Sequence, residues 1–321
     1  MGLAFSQTVT SQQWLDGVRS WIHARCDDEG LRLVGPVEQR RVRPWSTLLV
    51  APTHRGPVWF KATCPPMQFE AGLHRVLAEL RPLDVLAPLA VDEDRGWILS
   101  ADRGATLGDD HPPTTRDWMD VVRTVADVQQ AVAGEAERLL ATGLPDCSPV
   151  TVPARFDRIL GALAELDPEH PARLTDAQRD DLAARRDDVV GAAERLASST
   201  VPTTLQHGDV HPWNAFVDGR LLDFGDAQWA HAVEVLNVPY GVIASGADDG
   251  LSWDQVFGAY AEQWSGVVGP RDLRALFAAG VYTHAVNRAA TWWACLAHAT
   301  DEEWREWGDA PRHHLLRILE A

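Results

Sequence analysis

The sequence predicts an α+β fold of two unequal lobes: a small one made of an antiparallel sheet and helix, and a larger, mostly helical one with an embedded β-hairpin. Three observations predict it. The chain has 321 residues, too many for one small domain. Short apolar runs broken by Gly and Pro fill its first hundred residues. After Gly104 the apolar spacing becomes helical, interrupted only by a compact β-rich island at 204–226. The boundary is placed in a connector near 99–104, giving lobes of residues 1–100 and 101–321.

Taken in order, residues 11–27 place Trp14, Val18, Trp21 and Ile22 on one helical face, with Ser11 as cap. The runs LRLVG (31–35), STLLVAP (46–52) and VWFKAT (58–63) read as strands, the last two turned by Arg55-Gly56-Pro57. A helix from about Pro66 to Leu80 follows, then a strand pair at Leu86–Val91 and Trp97–Ala101 turned by 92–96. Helical periods recur at 114–139, 155–166 and 175–198, and helices resume from about Trp253.

Composition narrows the function. A 45% hydrophobic content with 14 Trp allows a sizeable core, and no apolar run is long enough for a membrane-spanning helix. The first ten residues lack the pattern of a secretory signal. Cys26, Cys64, Cys147 and Cys295 are scattered with no CxxC pair, as expected of reduced thiols in a cytoplasmic protein. A formal charge of −17 disfavours nucleic acid and anionic membrane as partners. It fits a cationic small molecule, or simply solubility. Of 29 basic residues, Lys61 is the one lysine, so that position calls for an ammonium rather than a guanidinium.

The chemistry concentrates in Leu205–Asp226, LQHGDVHPWNAFVDGRLLDFGD. Asp218-Gly219 between two short apolar arms predicts a two-residue hairpin. It brings Asn214, before the first arm, close to Asp223, after the second, while Asp209 sits in a tight loop five residues before Asn214. Phosphoryl transfer needs such a set: a carboxylate to accept the proton of the attacking hydroxyl, and hard oxygens for the Mg²⁺ that bridges the nucleotide phosphates. Asp209 fits the base; Asn214 and Asp223 fit the metal ligands.

His207-Gly208-Asp209, Asn214 five residues on, and Asp223-Phe224-Gly225 together resemble the aminoglycoside phosphotransferase/choline kinase family. The resemblance implies the two-lobed fold of protein kinases, and catalytic and metal roles for Asp209, Asn214 and Asp223. It places Lys61 on the third strand, against the nucleotide phosphates and paired with Glu70, with Glu79 as second choice. It implies that the connector, including Ser100 and Asp102, holds the nucleobase of ATP or GTP. No GxGxxG motif is present; Arg43–Thr47 is the equivalent segment, with Ser46 or Thr47 toward the phosphates. The acceptor is expected between the catalytic loop and the C-terminal helices, near His211, Asp226, His284, Asn287, Arg288 and Trp292. His211 and Asp226 equally suit structural roles, and the tryptophans suit core packing. The implied acceptor is a small hydroxyl compound: an antibiotic of aminoglycoside, nucleoside or peptide type, or a metabolite such as an amino sugar, choline or homoserine. Two other readings are a kinase-like binding protein without catalysis and a metallohydrolase built on His207-x-Asp209-x-His211. The first requires loss of the base, metal ligands or strand lysine, all of which are present. The second leaves Asn214, Asp223 and Lys61 without roles.

Overall fold

The computed structural model describes residues 3–244 and 250–321. After a short helix α1 (Phe5–Val9), Ser11 Oγ accepts from Trp14 N at 3.3 Å and caps α2 (Gln12–Asp28). This helix buries Val18, Ile22 and Cys26 against an antiparallel sheet of β1 (Glu38–Val42), β2 (Ser46–Thr53), β3 (Gly56–Thr63), β4 (Ala90–Asp92) and β5 (Trp97–Ala101), in the order β1-β2-β3-β5-β4. The pleat divides the side chains. Leu49, Ala51, Phe60, Ala62 and Leu99 pack under α2, while Leu48, Lys61 and Ile98 form one cross-strand row on the other face. Helix α3 (Phe69–Leu80) follows β3 after a 3-10 turn at Pro65–Met67.

Two expectations for this lobe are corrected. LRLVG is not a strand; only Leu33 bridges Thr53. The first strand is instead Glu38–Val42, a polar edge strand with no buried residue, so it has no apolar alternation to read. The strand expected at Leu86–Val91 shortens to Ala90–Asp92, because Val85 leaves the sheet to bridge Leu221 and Leu86 O accepts from His74 Nε2 at 2.7 Å.

The helical lobe begins with α4 (Leu107–Asp110), α5 (Thr115–Val132), α6 (Ala136–Leu140), α7 (Val152–Ala164), α8 (Asp176–Ala184) and α9 (Arg186–Ala197). Strands β6 (Thr203–Gln206) and β7 (Gln228–His231) pair antiparallel, and α10 (Asn237–Ala244), α11 (Trp253–Gln263), α12 (Pro270–Leu296), α13 (Asp301–Trp307) and α14 (Ala310–Leu316) complete it. Helix thus resumes at Asn237, ahead of the expected Trp253. The spans 114–139 and 175–198 each divide into two helices. Buried Gln129 of α5 donates to Leu205 O (3.0 Å) and Ala232 O (3.1 Å), anchoring the end of β6. The long α12 packs on α7, α9 and α14 through Ala285, Val286 and Ala289. Among the described residues no helix is long and apolar enough to cross a membrane.

Candidate active site

Lys61 is where the two lobes meet chemically. Its Nζ donates to Glu70 Oε1 at 2.6 Å, from α3, and to Asp223 Oδ1 at 2.7 Å, from the helical lobe. The register that puts Lys61 opposite Leu48 and Ile98 points it off the sheet toward both. Burial pushes the Asp223 carboxyl up, but the Lys61 charge and hydrogen bond outweigh it and hold the carboxyl near about 2. Burial dominates at Glu70, which rises to about 7 despite Lys61, with Asp223 adding to the rise. Its Oε2 is buried without a hydrogen-bond partner. Asp223 also adopts φ 62°, the one positive φ outside glycine among the described residues. Left-handed backbone at a non-glycine residue is costly and concentrates at functional sites.

The loop that carries Asp209 is built around Gly208. At φ +86° it lies so close to Asp226 that a Cβ would sit 2.0 Å from the Asp226 carbonyl oxygen. His207 Nε2 donates to Leu222 O at 3.0 Å, holding the loop backbone. The hairpin is narrow: its arms bridge at Ala215 and Leu221, Phe216 N donates to Arg220 O at 2.8 Å and Leu222 N to Asn214 O at 3.1 Å. The loop thus has three residues, Val217–Gly219, rather than the two expected, with Gly219 at positive φ. Asn214 therefore lies beside Asp223 in the backbone, and its Nδ2 donates to Asp209 O (2.8 Å) and Asp209 Oδ2 (3.2 Å). His211 Nε2 reaches the same carboxylate at 3.2 Å. Burial raises Asp209, but His211 and then Arg288 more than offset this and leave it below the usual carboxylate range, ionised and able to accept a proton.

A cleft of about 430 Å³ opens between sheet and hairpin. Leu48, Leu86, Ile98, Phe216 and Leu222 give it apolar walls, Ser100 and Asp102 lie at the connector, and Lys61, Glu70 and Asp223 lie at its inner end. Asp102 Oδ1 accepts from Gly104 N at 2.6 Å, shaping the connector. Ser46 does not line this cleft. It is 2% exposed, and the turn before it folds away: Trp45 meets Trp292 and Trp307 edge-on at 5.2 and 5.0 Å.

Helical spacing sets what α12 brings to the site. His284, Arg288 and Trp292, four residues apart, share one face of that helix. Arg288 forms an ion pair with Asp226 and sits over the Trp292 ring at 5.7 Å. Buried His284 Nδ1 lies 3.4 Å from Gln206 Nε2. Asn287 falls on the neighbouring face and is not brought to Asp209; it meets Glu234 Oε2 (3.0 Å), Cys147 O (3.3 Å) and Arg155 (2.9 Å).

The sequence model of the family described as "Phosphotransferase enzyme family" matches residues 52–276, more than two thirds of the chain and every residue of the inner site from Lys61 to Asp226. The chain belongs to this phosphotransferase family. No curated protein sequence matches it. Among solved structures it is similar to the GDP and kanamycin complex of APH(2")-IIia, at 14% identity and TM-score 0.62 over 93% of this chain and 98% of that one. It is also similar to macrolide 2'-phosphotransferase type I, at 14% identity and TM-score 0.60 over 94% and 98% of the two chains. A choline/ethanolamine kinase family protein from Mesorhizobium loti matches at 15% identity and TM-score 0.57 over 96% and 95%. At these identities the likeness is one of fold.

In this phosphotransferase the donor set suits a magnesium ion. Mg²⁺ takes one or two protein oxygens and completes its shell with phosphate and water; the Asp223 carboxylate and the Asn214 side-chain oxygen are such a pair. Among the described residues no group of three His, Cys, Asp or Glu side chains gathers as a metal site; His207 is instead held by backbone, its Nε2 on Leu222 O and its Nδ1 accepting from Asp209 N at 3.4 Å. The sequence reading missed Arg41 and Trp59 in the cleft, and Gln206, Trp45 and Trp307 beside the α12 face. Arg41 lay in a segment without strand periodicity, and the contacts of the others arise only from tertiary packing.

Proposed function

We propose that this phosphotransferase is a small-molecule kinase that moves the γ-phosphoryl group of ATP or GTP to a hydroxyl of an antibiotic, of aminoglycoside, nucleoside or peptide type, and so inactivates it. Residues 1–100 form the nucleotide lobe and 101–321 the lobe carrying the catalytic loop and acceptor site. The observation that carries this reading is the placement of the one lysine: Lys61 between Glu70 and Asp223, at the inner end of a nucleotide-sized cleft.

Each residue then has a task. The connector at Ser100–Asp102 takes the nucleobase, and Lys61 steadies the phosphates. Asn214 and Asp223 hold Mg²⁺, which when bound neutralises charge on the transferring group. Asp209, kept ionised by His211 and Arg288, orients the acceptor hydroxyl and takes its proton. Asp226 and Arg288 orient the acceptor, and His284 and Trp292 line its approach. Four buried free thiols agree with a reducing, cytoplasmic setting. The similarity to a choline/ethanolamine kinase family protein favours a second reading, phosphorylation of an amino alcohol or amino sugar.

The deciding experiment incubates the protein with Mg-ATP or Mg-GTP and a panel of antibiotics, amino sugars and amino alcohols, and looks for a mass gain of one phosphoryl group. Asp209→Ala should abolish acceptor-dependent nucleoside diphosphate formation while leaving nucleotide binding and thermal unfolding near wild type. Retained turnover in that variant would remove Asp209 as the base.

A further inference from the structure

Kinases of this architecture cover the nucleotide phosphates with the backbone of a glycine-rich loop. The equivalent turn here, Arg43-Pro44-Trp45, has no glycine, and its side chains point elsewhere: Trp45 packs on Trp292 and Trp307, and the Arg43 guanidinium lies 5.4 Å from the Trp307 ring. None of these three residues lines the cleft. Lys61 already carries two carboxylates, so its charge is largely spent and a polyphosphate entering the cleft gains from a further cationic side chain.

Arg41 supplies it. The strand register places Arg41, Leu48, Lys61 and Ile98 in a single row across β1, β2, β3 and β5, and all four line the cleft. The placement depends on a β-bulge. Gln39 pairs with Leu49, but Arg41 pairs with Leu48, so Arg40 is the extra residue. Without the bulge Arg40 would take the place opposite Leu48, and Arg41 would turn to the other face of the sheet. Arg40 instead pairs with Glu38 at 2.8 Å. Arg41 is exposed in the cleft, and among the described residues no carboxylate forms an ion pair with it. A guanidinium outside any ion pair, near enough for its charge to act on Asp223, thus stands in the row of Lys61 with a planar fork of donors matched to phosphate oxygens.

We propose that Arg41 is the polyphosphate clamp of this enzyme, gripping the nucleotide phosphates in place of a glycine-rich loop. The inference rests on the nucleotide-kinase reading of the cleft and is tested without an acceptor. Calorimetric titration of the full-length protein would use adenosine, ADP and the β,γ-imido analogue of ATP with Mg²⁺, and the matching guanosine series. Arg41→Ala should weaken the di- and triphosphate ligands by about tenfold or more while changing nucleoside affinity by less than about twofold. Arg41→Lys should recover part of the loss, and Arg40→Ala should behave as wild type. Thermal unfolding should be unchanged in all three, since both arginines sit on an exposed edge strand. Equal weakening of nucleoside and triphosphate, or no weakening of either, overturns the clamp and leaves the kinase reading in place. If the wild-type protein binds no ligand of either series, the kinase reading falls and the clamp with it.

Discussion

Lys61 donates to carboxylates on two sides, at 2.6 and 2.7 Å, with only 15% of its side chain exposed. A compact ammonium fits between them; a planar guanidinium carries its donors further out and in a fixed fork. Lys61→Arg is therefore expected to lower kcat/KM for nucleotide by at least about tenfold although charge is conserved. Steady-state kinetics checks this, and full activity would make the lone lysine an accident of composition. Gly208 is constrained more tightly still. Both its φ of +86° and the 2.0 Å approach of the Asp226 carbonyl to a notional Cβ exclude any side chain. Gly208→Ala should cost more than about 2 kcal/mol in chemical denaturation and lose turnover, since the loop that holds Asp209 must shift.

The elements divide into those whose sequence carries their own instructions and those whose surroundings decide. The turn before β2 is of the second kind. Trp45 in that turn packs against α12 and α13, so Trp45→Ala should lower stability by about 1–3 kcal/mol, through two lost edge-to-face contacts, as read by thermal unfolding. This same packing is why Ser46, expected at the phosphates, is buried instead. The site core was legible because its spacing is local: a hairpin of a few residues fixes Asn214 beside Asp223 wherever it is placed in a fold. Lys61 was legible because a strand with an apolar core face on one side must present its alternate residues to the other. Strand β1 was not legible, since an exposed edge strand needs no apolar residues and EQRRV has one. Asn287 was misplaced for a geometric reason. Along α12 a spacing of four keeps His284, Arg288 and Trp292 together, whereas Asn287 turns to Glu234.

For the whole molecule, stability and the candidate site share the contact between sheet and helical lobe. Lys61–Asp223, the Val85–Leu221 bridge and the hydrogen bond from Phe5 N to His298 O (3.3 Å) all tie one lobe to the other. A second buried acid lies deeper. Glu234, fully buried, accepts from Thr283 Oγ1 at 2.8 Å and Asn287 Nδ2 at 3.0 Å, and burial raises it to about 7 despite those bonds. A carboxyl raised on folding from 4.5 to about 7 contributes stability that is complete below 4.5 and is lost as pH rises through about 7. Glu70 acts in the same direction. The melting temperature should therefore fall between about pH 5 and pH 8, and Glu234→Gln should flatten part of that slope. A slope unchanged by the substitution would place the titration elsewhere.

The three indoles of Trp45, Trp292 and Trp307 have one more property. Trp292 and Trp307 lie 14° from parallel with centroids 6.3 Å apart, and Trp45 stands nearly perpendicular to both. Transitions of rings this close couple, and the coupling gives a signed band in the near- and far-ultraviolet circular dichroism. Two of the rings ride on the helical lobe and the third on the sheet lobe, so any hinge opening pulls one oscillator out of the set. The protein thus contains an unlabelled optical gauge of its own cleft. Titrating nucleotide while watching that band tests whether the lobes move on binding, with Trp45→Phe separating this cluster from the other tryptophan pairs.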